Sequence, residues 1–407
     1  MISDAEQRET PGSPEKPDFA PSLRLPTSPC RLGSLTLRRA GREATAGKPG
    51  TPHQLVGDRT VSFVTFVIFC ENQDGGCQGA ITMLDYNSKF DRRKSVKVFG
   101  VEEICELVSS KLSRSEIQSV SLLTGGFVNS NYRLLLRDST SLVLRIAARS
   151  GDLKKELSVL KQVHGAVPVP AVMAEDFSGP YPFALIEFVD GMLFSDSLGL
   201  LDVVDLRKVA AEAGATLQTI HAFDLGKAGF FDENFAFNPA FEDFGGSFYN
   251  YICSSLEGGR VRERLGEALA ERALECVRAK RDVYWSIPNS TRLIHCEYNL
   301  KNILIRKVGS AWNVSAILDW EFAMGGSPLV DIGNFLRFED ELPPGFSEAF
   351  IRGYASGAMG LPASWREIAR LLDLAAMMNF LEGKKEAPLT FATAIGVITK
   401  TVESIER

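Results

Sequence analysis

Glu297, Asn302 and Asp319 are the residues of this 407-residue chain whose types and spacing suit chemistry. They lie in Leu293-Ile-His295-Cys-Glu297-Tyr-Asn-Leu-Lys-Asn302-Ile-Leu-Ile305 and in Ala316-Ile-Leu-Asp319-Trp-Glu321. Two apolar runs, 303–305 and 314–318, flank a Gly309-Ser310 turn. Folded as a hairpin, they bring the residues before the first strand beside those after the second. An acid, an amide and a second acid then converge at one end, around a point suited to a divalent metal and a polyphosphate. Mg²⁺ takes oxygen ligands, often one or two side chains with phosphates and water. Phosphoryl transfer asks of a protein mainly positioning and charge neutralisation, with a carboxylate to orient the acceptor hydroxyl and accept its proton.

The elements that must position this set follow from periodicity. Val101, Ile104, Val108 and Leu112 recur at helical spacing. Strand-like runs follow at 120–123, 132–136 and 142–146, the last two joined as a hairpin by Arg137-Asp138-Ser139-Thr140. Leu153, Leu157 and Leu160 mark a helix beginning near Gly151-Asp152, Val167 to Pro170 reads as an extended linker, and 183–189 as a buried strand closed by Gly191. Beyond Gly191 helices are expected at 204–223, 250–257, 260–286, 345–356 and 365–380, with a single β interruption over 293–320. Strands first and helices later predict an α+β fold with a small antiparallel-sheet lobe and a larger helical lobe.

Residues 1 to about 60 are rich in Pro, Gly, Ser, Thr and Arg without apolar periodicity, and read as disordered. Arg31, Arg38, Arg39 and Arg42 resemble a transit peptide only faintly, and Met83 is a candidate start for the folded chain. The expected organisation is an extension over 1–98, an N-terminal nucleotide-binding lobe over 99–190 and a C-terminal catalytic and substrate-binding lobe over 191–407. Residues 1–82, lacking a periodic apolar face, are expected to be dispensable.

Composition narrows the function classes. A net charge of −6 gives no reason to expect a nucleic-acid partner. Seven scattered cysteines with no C-x-x-C pair argue for a reducing compartment and against a disulfide framework or a zinc site. The longest apolar run, 61–70, is about half of a bilayer span. A cytoplasmic protein with no membrane partner is the expectation; the oligomeric state is open.

The pattern H-x-E-x-x-x-x-N, a hairpin and then L-D-W-E resembles the catalytic and metal-binding loops of the aminoglycoside phosphotransferase and choline kinase family, a protein-kinase-like fold. Gly325-Gly-Ser327-Pro-Leu-Val-Asp331 resembles its G-D-P-x-x-D segment, and Leu217-Gln-Thr-Ile-His221 its helical L-x-x-L-H signature. The likeness runs from about residue 100 to 400. It implies ATP and Mg²⁺ as cofactors, with Glu297 as the base and Asn302 and Asp319 as metal ligands. It further implies that the loop holding Gly125, Gly126, Asn129 and Ser130 covers the phosphates. Arg145 then stands where the family has the phosphate-gripping strand lysine, Glu156 pairs with it, and Glu187 belongs to the inter-lobe hinge that binds adenine. His295, His221 and Trp320 read as scaffold, and Cys296 as a buried thiol. Glu339, Asp340 and Glu341 are candidates to line a pocket for an amine-bearing acceptor, or a solvated acidic turn.

One departure bears on activity. The family's base is Asp, and Glu297 is longer by a methylene; misplacement of about 1 Å can cost about 10²-fold in rate. Glu keeps a carboxylate of similar basicity, which favours an ATP-dependent small-molecule kinase over the alternative, a non-catalytic nucleotide-binding pseudokinase.

Overall fold

The computed structural model describes residues 89–91, 98–123, 130–147, 149–357 and 360–406. The expectations for residues 1–82 and for Gly125, Gly126 and Asn129 lie outside these residues.

The amino-terminal lobe is a five-stranded antiparallel sheet with two helices. In chain order it comprises α1 (Val101–Leu107), β1 (Ile117–Leu122), β2 (Ser130–Leu136), β3 (Ser141–Ile146), α2 (Ser150–Val163), β4 (Val172–Asp176) and β5 (Phe183–Glu187). The sheet order is β1-β2-β3-β5-β4. Alternation along β2 and β3 decides what the sheet offers the site, because successive strand residues face opposite sides. Leu142, Leu144 and Ile146 join Tyr132, Leu134, Leu136 and α1's Ile104 in the small core of the lobe. Arg145, between Leu144 and Ile146, therefore faces the other way. There it meets α2, whose Leu153, Glu156, Leu157 and Leu160 form the buried stripe. A one-residue register slip would send Arg145 into the apolar core.

The carboxy-terminal lobe is mainly helical and surrounds the hairpin Ile303–Val308/Ala311–Ile317, which turns at Gly309 with φ 60°. The hairpin takes a third strand, Met192–Leu193, directly after the inter-lobe connection. Its base is closed by the Leu318 amide donating to the Asn302 carbonyl at 2.8 Å, which brings both loop ends together.

Helix Val203–His221 crosses helix Phe346–Ala355 with glycine on each side of the contact. A Cβ on Gly214 would sit 2.0 Å from the Phe350 carbonyl oxygen, and one on Gly353 1.8 Å from that of Ala211. This close approach lets His221, at the end of the first helix, reach Tyr354 in the second.

Several boundaries differ from the expectation. The single helix over 260–286 is three, Gly259–Leu265, Glu267–Ala279 and Arg281–Trp285, broken at Gly266 (φ 75°) and Lys280. The helix at 250–257 begins six residues earlier, at Phe244, where the Asp243 side chain caps it. The β content of this lobe is not a single interruption either. Gly229–Phe231 and Phe237–Ala240 join Met324–Gly326 and Arg292–Ile294 in a four-stranded sheet. Short strands of this kind carry too few residues for a periodic signal. Helices Leu329–Leu336 and Pro388–Glu406 also escaped the sequence reading.

Three residues of the expected extension lie on the carboxy-terminal lobe. The Asp91 amide donates to the Thr390 hydroxyl and the Thr390 amide to the Asp91 carboxylate, both at 3.0 Å. Thr393 donates to the Lys89 carbonyl, and the Lys89 ammonium pairs with Glu341 at 2.9 Å. Phe90 packs edge-on against Phe338 and tilted against Phe380. A chain beginning at Met83 should therefore keep the melting temperature of the full chain, whereas one beginning at Phe99 should melt several degrees lower. The loss of about 2–3 kcal/mol of such contacts corresponds to that shift in a domain of this size. Equal melting of the two shortened chains in differential scanning calorimetry would show the strap to be dispensable.

Candidate active site

The site is built on one sealed carboxylate. Asp331 lies in the first turn of Leu329–Leu336 and is fully buried. Its Oδ2 accepts from the His295 amide at 2.7 Å, and its Oδ1 from the Cys296 amide at 2.7 Å. Nε2 of buried His221 lies 3.0 Å from Oδ2, and Nδ1 of the same ring lies 3.0 Å from the Tyr354 hydroxyl. The carboxylate thus draws two consecutive amides of the catalytic loop inward. Between them and Glu297 the chain turns through Cys296 at φ 66°, a left-handed conformation that costs a non-glycine residue about 1–3 kcal/mol.

His295 fixes the loop from its other side. Its Nε2 lies 2.9 Å from the Leu318 carbonyl oxygen, which can only accept, so Nε2 carries the proton. Nδ1 is then the acceptor for the Glu297 amide at 3.2 Å. The ring is buried against Trp320, and burial lowers its pKa, with Asp331 and Asp319 opposing. His295 and Trp320 are thus scaffold, as their sequence context predicts, and so is His221. Burial pushes the Cys296 thiol well above its ordinary value, helped by Asp331, so it is no ready nucleophile.

Glu297, Asn302 and Asp319 line a single cavity of about 740 Å³, which they share with Asn131, Arg145 and Glu321. The Asn302 side-chain amide donates to the Glu297 carbonyl at 2.9 Å, leaving Oδ1 as the atom to offer a cation. Asp319 sits at φ 67° immediately after the hairpin. Asp tolerates that left-handed region better than most residues. An amide oxygen and a carboxylate fit a magnesium ion that draws its remaining ligands from phosphate and water. Among the described residues no group of three or more His, Cys, Asp or Glu is placed to hold a metal, so these are not the walls of an all-protein cage.

Arg145 joins the lobes. Its Nη2 is 2.7 Å from Asp319 Oδ1 and its Nε 2.8 Å from Glu156 Oε2, the latter an ion pair without hydrogen-bond alignment. Burial pushes the Glu156 carboxyl up to about 8; Arg145 pulls it down, while Asp319 and Glu321 add to the rise. The guanidinium pKa is itself raised, because its carboxylate neighbours outweigh its burial. Removing one partner of such a buried pair costs about 3–5 kcal/mol.

The remaining expected site residues are distributed less compactly. Ser130 is buried at the start of β2, opposite Ile146. Glu187 stands apart from the cavity: its amide donates to the Ala171 carbonyl and its carboxylate accepts from the Ala171 amide. The acidic turn 339–341 does not line the cavity and is already neutralised. Glu339 pairs with Arg366 and Arg370, Asp340 with Lys400 at 2.7 Å, and Glu341 with Lys89.

Sequence reasoning missed three features. Asp331 had no assigned role, although one acid in the apolar helix Leu-Val-Asp-Ile-Gly-Asn-Phe-Leu was a signal in itself. Glu321 flanks the Arg145–Glu156 pair electrostatically, and Lys155, whose pKa burial lowers, faces Glu321 in turn. The third is the aromatic wall of the cavity, for which the chain's 26 phenylalanines were the only hint.

The two-lobed arrangement, with a small antiparallel sheet over a helical lobe and the site between them, is the protein-kinase-like fold. Residues 119–369 match the phosphotransferase enzyme family, APH, and the chain belongs to it. Among solved structures, aminoglycoside 2'-phosphotransferase-IIIa in complex with GDP is similar over 75% of this chain and 99% of its own, with a TM-score of 0.58 and 16% identity. A thermostable mutant of aminoglycoside phosphotransferase APH(4)-Ia, bound to ADP and hygromycin B, is similar over 75% and 99%, at 0.56 and 19%. A putative fructosamine-3-kinase from Thermobifida fusca is similar over 76% and 100%, at 0.54 and 18%. In sequence, the mouse protein Acyl-CoA dehydrogenase family member 10 is 26% identical over 206 residues, which cover 49% of this chain and 18% of that protein. The chain thus spans less than a fifth of that relative. Among the described residues no helix is long and apolar enough to cross a membrane.

Two outcomes follow from the loop's anchoring. Asp331→Ala orphans three buried donors at about 1–3 kcal/mol each. It should lower unfolding free energy by at least about 3 kcal/mol in urea titration, with Asp331→Asn about half as costly; wild-type stability in the alanine variant would refute the clamp. The His295 pKa is depressed on folding, so the unfolded chain binds the proton more readily. Stability should be fully present above about 6.5 and fall as pH drops below it. His295→Gln should remove that part of the acid-side slope.

Proposed function

We propose that this protein is an ATP-dependent, Mg²⁺-requiring kinase that phosphorylates a hydroxyl group of a small molecule. The observation that carries the reading is the convergence of Glu297, Asn302 and Asp319 on one cavity, with Arg145 held at Asp319. Membership of the phosphotransferase enzyme family supports it, as do the ADP, GDP and hygromycin B named with the similar structures.

In this reading Glu297 stands beside the acceptor hydroxyl. Its carboxylate takes the hydroxyl proton as the oxygen attacks the γ-phosphorus and the bond to the β-phosphate oxygen breaks, releasing ADP. The longer Glu reaches its station because His295 and Asp331 draw the loop backbone inward before it. Asn302 Oδ1 and the Asp319 carboxylate would hold Mg²⁺, which supplies neutralisation of phosphate charge. Arg145 has N–H donors beyond those facing Glu156 and Asp319, and these suit phosphate oxygens. Glu156 keeps the guanidinium aimed across the lobe boundary.

The test is a pair of substitutions read by different measurements. Asp319→Asn should abolish most of the thermal stabilisation by Mg-ATP while the protein without nucleotide stays folded. Glu297→Gln should lower turnover by about 10² or more with little change in ATP affinity. Undiminished turnover in Glu297→Gln would remove Glu297 from the role of base. Turnover absent in the natural protein and created by Glu297→Asp would mark it as a nucleotide-binding pseudokinase.

A further inference from the structure

The acceptor side of the cavity, beyond Glu297, is walled by phenylalanine. Phe90 comes from the strap, Phe230 and Phe241 from the segment around the first short strand, Phe248 from the following helix, Phe322 from the loop after Asp319 and Phe380 from helix Trp365–Leu381. Phe230 and Phe322 are 47% and 40% exposed, an apolar rim that costs hydration when empty. Phe230 stands edge-on to Phe241 at 5.6 Å between ring centroids.

One charged pair on this side is closed within the protein. Asp373 takes Arg337 in a two-bond pair at 2.8 and 2.6 Å, both side chains nearly sealed. Asp91 is held by Thr390, and the Glu382 carboxylate accepts from the Ser255 hydroxyl at 2.9 Å. Two of the rings also have resident cations: Lys301 Nζ lies 5.4 Å from the centre of Phe90 and Arg337 Cζ 5.9 Å from that of Phe380. A polyamine sugar would find the Asp373 carboxylate already taken by Arg337. A quaternary ammonium would compete with the protein's own cations for ring faces. What the wall favours is apolar surface, with polar groups such as Tyr251 and Asn379 set among the rings.

We infer that the acceptor is an uncharged alcohol whose hydroxyl sits on a largely apolar body, alkyl or aryl, rather than an aminoglycoside, an amino alcohol or a free sugar. The inference rests on the kinase reading for the fate of the hydroxyl, and on the aromatic wall alone for the nature of the body.

Binding and turnover are therefore read separately. Calorimetry of the full chain saturated with Mg-ADP uses primary and secondary alkanols from butanol to decanol, with kanamycin, choline and glucose as the polar set. Affinity should rise about four-fold per added methylene until the cavity is filled, and the polar set should bind more weakly than octanol. Phe230→Ser, at an exposed position where folding is not at stake, should weaken decanol binding at least five-fold with unchanged Mg-ADP affinity. Affinity independent of chain length, or any of the polar set binding more tightly than every alkanol, overturns the inference. ADP release from Mg-ATP with the same compounds separates the two claims. Alkanols that bind with the expected trend and are never phosphorylated refute the kinase reading and leave the ligand class standing. Turnover of kanamycin, choline or glucose without alkanol binding refutes the ligand class and leaves the kinase reading standing.

Discussion

Asp331, out of reach of water, accepts from the amides of His295 and Cys296 while His221 approaches the same carboxylate. A buried carboxylate is tolerable only when its oxygens are satisfied, so this one dictates the path of the chain around it. The loop must pass close enough for two consecutive amides to point inward, and Cys296 must turn left-handed to allow it. Glu297 then emerges on the cavity side. His221 can contribute only because two glycines let its helix lie against that of Tyr354. A helix crossing remote from the cavity thereby sets the direction of the catalytic loop.

The second constraint is electrostatic and joins the lobes. Arg145 and Glu156 belong to the sheet lobe and its helix, Asp319 to the helical lobe, and one guanidinium faces both acids. With Glu321 adding negative charge nearby, a cation of the sheet lobe is set against acids of the helical lobe. Substituting arginine for the family's lysine matters here: a planar fork can face two carboxylates and still present donors to a third partner, which a point-like ammonium does less well. Nucleotide phosphates would enter a place whose positive charge is already oriented.

How much was legible depended on whether the signal was local. The hairpin at Gly309, the strand bearing Arg145 and the helix bearing Glu156 each show in a window of a dozen residues, because a two- or three-to-four-residue repeat carries them. The motif around Glu297, Asn302 and Asp319 shows in a stretch about twice as long. The helix breaks at Gly266 and Lys280 did not, since helical residues continue on both sides, although Gly266 at φ 75° is a local breaker of the usual kind. The three-residue strands Gly229–Phe231 and Met324–Gly326 exist through partners distant in sequence. The aromatic wall assembles phenylalanines from residue 90 to residue 380, each unremarkable in its own segment. The acidic run at 339–341 misled in the opposite sense: three adjacent acids suggest a cation-binding lining, and only the fold reveals Arg366, Arg370, Lys400 and Lys89 beside them.

Phe90 precedes the whole sheet lobe in sequence yet lines the same cavity as Glu297, Asn302 and Asp319. The chain lays down this piece of the cavity first, builds the sheet lobe, and only then returns with the loop bearing Glu297. Residues of one cavity are consequently drawn from position 90 to position 380 of the chain. A product initiated or spliced downstream of residue 91 would keep Glu297, Asn302 and Asp319 and lose one side of the chamber they serve. Two such forms would share those three side chains and differ in the chamber around them.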